Sequence, residues 1–149
     1  MTPDSPRDEN EKRATEARPA QWSVLLAEDL QDLQALMAMW LEEAGHRVTR
    51  ASSGREVIDH ATRSDFDLLV TDILMPDGDG VKLIEELKKI QPATHILAIS
   101  GGGRFVDGNN CLKIAHGLGA DAAVMKPFKR DQFLAAVDQA LAPRQSKDA

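Results

Sequence analysis

Continuous apolar runs and helical apolar stripes take turns along this chain. "SVLLAE" (residues 23–28) is a short unbroken run and reads as a buried strand. "LQDLQALMAMWLEEAG" then puts Leu33, Leu36, Met37, Trp40, Leu41 and Ala44 on a helical stripe closed by Gly45. "HRVTRA" predicts a shorter strand around Val48, and Ser53 is placed to cap the helix "GREVIDHATR", with Val57, Ile58 and Ala61 on one face. "FDLLVTD" predicts a third strand, with Leu68, Leu69 and Val70 buried on both sides. Asp79 is placed to cap "GVKLIEELKKI", whose inner side is Leu83, Ile84, Leu87 and Ile90. "HILAIS" (95–100) is the fourth strand. After the loop "GGGRFVDGNN", a helix is expected through Leu112, Ile114 and Leu118. "DAAVMK" gives a fifth strand, and "RDQFLAAVDQAL" a fifth helix with Phe133, Leu134, Val137 and Leu141 inward. Met37, Met39, Met75 and Trp40 are read as core or near-core packing.

Five strand–helix units in strict alternation imply right-handed crossovers and a parallel sheet covered on both faces, an α/β doubly wound (βα)5 architecture. The ends behave differently. Residues 1–21 carry three prolines and nine charges with few apolar side chains, and read as a flexible charged tail. Residues 22–142 form the expected domain, and 143–149 a polar stub. At 149 residues with 42% apolar and 28% charged residues, the chain suits one soluble domain with a proper core.

A net charge of -6 excludes broad nucleic-acid affinity, since no basic surplus can displace phosphate counterions. Cys111 is the sole cysteine, which rules out an internal disulfide and thiolate metal clusters; it is read as a small apolar filler. His46, His60, His95 and His116 are scattered and are read as surface or edge residues. No membrane span and no secretory leader is legible, so the expected compartment is the cytoplasm.

The chemistry gathers where the strands end. In a parallel sheet those ends share one edge, and ligands bind in the crevice outside it. Glu28 and Asp29 follow the first strand, Asp72 the third, Ser100 the fourth and Lys126 the fifth. Crowded carboxylates raise one another's pKa, and a hard divalent cation relieves them. Mg2+ fits, because it takes oxygen ligands and keeps several waters. Asp72 beside a cation, with Lys126 as a point charge and Ser100 as a donor, is a site for phosphoryl transfer onto a carboxylate. The turn cluster Pro76-Asp77-Gly78-Asp79-Gly80 lets the backbone carbonyl of Leu74 reach that metal. Neither a Walker loop nor the glycine-rich dinucleotide fingerprint is present.

"LLAEDL", "DLLVTDILMPDGDG", "AIS" and "MKPF" together resemble the motifs of bacterial two-component response-regulator receiver domains. The resemblance covers residues 22–142 and implies a flavodoxin-like fold with strand order 2-1-3-4-5. It implies Asp72 as phosphoacceptor, Asp29 as a direct Mg2+ ligand, Glu28 acting through a metal-bound water, and Ser100 and Lys126 contacting the phosphoryl group. It also implies a cis Lys126–Pro127 peptide and a sensor histidine kinase or histidine phosphotransfer protein as donor. Output to a downstream protein would use the fourth helix, fifth strand and fifth helix, with no nucleic acid or membrane involved. A stand-alone receiver, monomeric or weakly dimeric, is the expectation, and no catalysis beyond its own phosphorylation and dephosphorylation.

Two departures stand out. The switch aromatic usual three positions before the lysine–proline pair is Ala123 here, and the glycine-rich 101–110 loop is longer than usual. A phosphorylation-independent adaptor with a vestigial acidic site, or a flavodoxin-like cofactor binder, stay as alternatives.

Overall fold

The structure, a computed structural model, describes residues 21–75, 78–101, 113 and 116–143. Strands β1 (Ser23–Ala27), β2 (Arg47–Ala51), β3 (Leu68–Asp72), β4 (His95–Ser100) and β5 (Ala122–Met125) form one parallel sheet in the order β2-β1-β3-β4-β5. This is the flavodoxin-like order the resemblance implies. Register is set by opposing pairs such as Val24 with Leu68, Leu69 with Ile96 and Ala98 with Ala123.

Alternation along each strand feeds two cores. Leu25, Ala27, Leu69, Ile96 and Ala98 face one side, against Val57 of helix α2 (Gly54–Arg63) and Leu83, Ile84 and Leu87 of α3 (Gly80–Ile90). Val24, Leu26, Leu68, Val70, Leu97 and Ile99 face the other, against Met37 and Leu41 of α1 (Gln31–Glu43) and Phe133 and Val137 of the C-terminal helix (Arg130–Leu141). Central strands buried on both faces need apolar residues at every position, which is why they appear as unbroken runs. An aromatic trio closes the second core. Trp40 meets Phe128 edge-on at 6.4 Å and Phe133 at 5.8 Å, while the two phenyl rings stack at 5.5 Å.

Local signals act as expected at two helix ends. The Ser53 hydroxyl accepts a hydrogen bond from the Glu56 amide and caps α2. Gly45 (φ 101°) ends α1, with its N–H donating to the Glu42 carbonyl and that of His46 to the Leu41 carbonyl. That pair of bonds is a Schellman motif, which only a residue at ease with positive φ permits.

Other expectations need correction. Helix α1 buries the stripe read on it only in part: Met37 and Leu41 are fully buried, whereas Leu36, at 39%, and Ala44 are exposed, and Met39, read as core or near-core, is 45% exposed. Its inner face is Gln34, Met37, Ala38 and Leu41, with Leu33 and Trp40 only half-buried. Ile90, read as part of the inner side of α3, is 40% exposed at the last turn of that helix. Residues 74–79 do more than turn: Leu74–Met75 and Gly78–Asp79 pair as a two-residue antiparallel hairpin. The expected helix before β5 is seen at Lys113 and His116–Leu118. Cys111, Leu112, Ile114, most of the 101–110 loop, the 1–20 tail and the side chains of Met75 and Asp79 lie outside the described residues. No helix among the described residues is long and apolar enough to cross a membrane.

Candidate functional site

Because all five strands run parallel, the residues after β1, β3, β4 and β5 meet at one edge. Lys126 lies one residue beyond β5, and its ammonium sits 2.8 Å from Asp72 Oδ2 and 3.5 Å from Glu28 Oε1. Asp72, at the last position of β3, is 4% exposed; Glu28 is fully buried and Asp29 beside it half-buried. Ser100 is buried at the end of β4, and its carbonyl accepts the Lys126 amide at 2.8 Å. The structure thus brings Glu28, Asp72, Ser100 and Lys126 together, with Asp29 next to Glu28. The Lys126–Pro127 peptide is cis.

The backbone around Asp72 is fixed from both sides. The Ile73 amide donates to the Ile99 carbonyl at 2.9 Å, and the Gly80 amide to the Ile73 carbonyl at 2.9 Å. The second bond draws the start of α3 so close that a Cβ on residue 80 would collide with the carbonyl oxygens of Asp72 and Ile73. Glycine is required there by close approach alone. Sequence reasoning assigned Gly80 to a turn and missed this contact.

Glu28 is held as tightly. Its amide donates to the Ala51 carbonyl at 3.1 Å, and its Oε2 accepts the Leu30 amide at 3.1 Å. Its Oε1 is buried without a hydrogen bond, and the Lys126 ammonium faces it as a charge contact. Burial pushes the Glu28 carboxyl above the ordinary carboxylate range. The Leu30 hydrogen bond and the Lys126 charge pull against that shift, while Asp72 and a hydrogen bond with Asp29 add to it. The crowding expected from the sequence is therefore real but secondary to burial. Burial lowers the Lys126 pKa, yet the hydrogen bond and charge of Asp72, joined by Glu28, outweigh it and leave the ammonium above its usual value.

This arrangement is a rigid, buried carboxylate paired with the Lys126 ammonium, beside a second buried carboxylate with an oxygen that makes no hydrogen bond. Against known proteins, the family model for the response regulator receiver domain matches residues 24–138. The chain belongs to that family. The chemotaxis protein CheY of Halobacterium salinarum is 30% identical over 118 residues, which is 79% of this chain and 95% of that protein. The response regulator receiver protein CpdR of Brucella abortus is 37% identical over 78 residues, 52% of this chain and 65% of CpdR. TcrA of Mycobacterium tuberculosis, a transcriptional regulatory protein, is 32% identical over 114 residues, and the match spans 43% of its length. This receiver domain thus spans less than two thirds of several curated relatives. Among solved structures, a CheY-like receiver from Methanospirillum hungatei superposes with a TM-score of 0.69 at 25% identity, covering 79% of this chain and 91% of that one. A response regulator from Burkholderia pseudomallei, solved with a phosphorylated aspartic acid, a calcium ion and citrate, gives 0.65 at 26% identity over 76% and 64%.

Receiver domains are the signalling phosphoacceptors of two-component systems, and the family uses Mg2+ at its acidic site. Here the donors fit such an ion. All are oxygens, and Glu28 Oε1 is a buried acceptor without a hydrogen bond. Among the described residues no three His, Cys, Asp or Glu side chains are arranged to hold a metal on their own. Mg2+ does not need that, since one or two carboxylates and several waters complete its shell. The receiver's Ala123, where the family usually has an aromatic, is half-buried and packs against the α2–α3 side of the core.

One polar residue of this receiver was not anticipated. Gln34 on α1 is 3% exposed and hydrogen-bonds the carbonyls of Glu28 and Ala51. A glutamine at an inward helix position carries no sequence signal.

Proposed function

We propose that Asp72 is the phosphoacceptor of a two-component receiver unit spanning residues 22–142. It takes its phosphoryl group from a sensor histidine kinase or a histidine phosphotransfer protein in the cytoplasm. An Asp72 carboxylate oxygen attacks the phosphorus of a phosphohistidine. The P–N bond breaks, its electron pair stays on the imidazole, and the ring takes a proton from solvent. The Lys126 ammonium offsets charge on the moving phosphoryl oxygens, and the Ser100 hydroxyl donates to one of them. Asp29, Asp72, the Leu74 carbonyl and, through a water, Glu28 would hold Mg2+, which supplies further neutralisation of those oxygens. The phosphorylated protein then signals by contact with a downstream protein through the face made by β5 and the helices on either side of it.

The observation that carries this reading is the Asp72–Lys126 contact of 2.8 Å at a carboxylate buried against a rigid strand end. The Burkholderia relative, with its phosphorylated aspartic acid and bound calcium ion, supports it. Incubation with a phosphohistidine donor and Mg2+, read by intact mass, tests it. Wild type gains one phosphoryl group and Asp72→Asn gains none. No gain in wild type, or an equal gain in the variant, overturns the reading. An adaptor indifferent to phosphorylation is favoured by one feature, Ala123; partner capture unchanged by Asp72→Asn would select it.

A further inference from the structure

The geometry points to Gln34 as a positioning residue for the divalent-cation site, an inference that rests on the phosphoacceptor reading above. Gln34 is buried in the first turn of α1, where a polar side chain survives only if its donors and acceptor are used. All are used here. Its Nε2 donates to the Glu28 carbonyl at 2.7 Å and to the Ala51 carbonyl at 3.0 Å, with Ser52 Oγ at 3.4 Å. Its Oε1 accepts from Arg50 Nε at 2.7 Å. One amide therefore clamps the last peptide of β2 to the peptide joining Glu28 and Asp29.

Consider what that leaves Glu28. Its amide is spent on Ala51, its carbonyl on Gln34 and its Oε2 on Leu30. Oε1 alone is unspent, and it faces Lys126. With the main chain pinned at both ends, the two acids after β1 cannot swing away from the site. Ligand-orienting residues of this kind act on affinity without touching the ion. A helix could anchor to β2 by apolar packing alone. The placement of an amide on the carbonyl of Glu28 is explained by the need to fix the acid pair.

Isothermal titration of unphosphorylated protein with MgCl2 tests this, alongside thermal melts. Gln34→Met keeps the length of the side chain and removes the amide. Its Mg2+ affinity is expected to fall about tenfold or more, the range seen when ligand-orienting groups are lost. Thr94→Val is the control for mere destabilisation. Thr94 is 2% exposed at the opposite edge of the sheet and its hydroxyl donates to the Phe66 carbonyl at 2.9 Å. Its melt should fall while its Mg2+ affinity stays at the wild-type value. Equal affinities for Gln34→Met and wild type, or an equal loss in both variants, overturns the inference. If Gln34→Met does not fold, Arg50→Met decides from the exposed side: a loss of about twofold or more supports the clamp and no change refutes it. No uptake by wild type is a different result and overturns the phosphoacceptor reading with it.

Discussion

Replacing Lys126 by Met removes the one cation among the described residues that faces both buried acids, and the structure sets the size of the effect. At 2.8 Å and 3.5 Å, in surroundings of effective dielectric about 20, the gross attractions are about 6 and about 5 kcal/mol. Those are upper bounds, because the ammonium is itself partly desolvated and Glu28, with its raised pKa, can protonate in its absence. A loss of about 2 kcal/mol at pH 7.5 is expected, below the roughly 3–5 kcal/mol for stripping a fully buried charge of its partner, because Lys126 is itself 23% exposed. For a domain of this size that lowers the melting temperature by roughly 8 °C. The sign with pH follows from the raised Lys126 pKa. The lysine's contribution is in place below about pH 10.5, the ordinary lysine range, and is lost only as pH rises through the higher folded value. The Glu28 carboxyl, raised by burial, takes up its proton as pH falls through its folded value, so the gap between wild type and variant should shrink toward pH 4. Melts at pH 4.5 and 7.5, each with and without 10 mM MgCl2, at roughly physiological ionic strength where the screening length is about 8 Å, measure it. A gap equal at both pH values, or one that Mg2+ leaves unchanged at pH 7.5, would refute the electrostatic account.

Two further outcomes follow from the same edge. Glu28→Gln should raise stability by about 1 kcal/mol at neutral pH without divalent ions, because it removes an ionised group whose Oε1 lacks a hydrogen bond. Since the Glu28 pKa is raised, its cost is absent below about pH 4.5 and builds as pH rises through the higher folded value, so denaturant titrations at pH 4 and 7 should show the advantage only at the higher pH. Gly80→Ala should destabilise by about 2 kcal/mol or more and slow phosphoryl uptake at Asp72, because the added methyl displaces the Asp72–Ile73 backbone; a melt and a phosphorylation time course check both.

Much of this was legible because central parallel strands announce themselves. Leu68, Leu69 and Val70, or Ile96 to Ile99, are apolar at every position since both faces are covered, and such runs need no choice of inward face. Topology then dictates that Glu28, Asp72, Ser100 and Lys126 share an edge, whatever the details of packing. Helix α1 was harder. It is apolar around most of its circumference, so periodicity alone drew the stripe too wide, taking in the exposed Leu36 and Ala44 beside the buried Met37 and Leu41. Gln34 and Gly80 were illegible for another reason. Each is defined by a distance to a main-chain oxygen far along the chain, and no local pattern records such a distance.

The aromatic trio has an optical consequence. Phe128 stands two residues beyond Lys126, and Trp40 leans on its ring, so one indole emits from beside the lysine loop. The other, Trp22, leads into β1 at the far rim of the sheet, and the chain has no tyrosine to absorb alongside them. A Trp22→Phe protein would therefore carry a single indole, and any repositioning of that loop can be followed in unlabelled material by ultraviolet light alone.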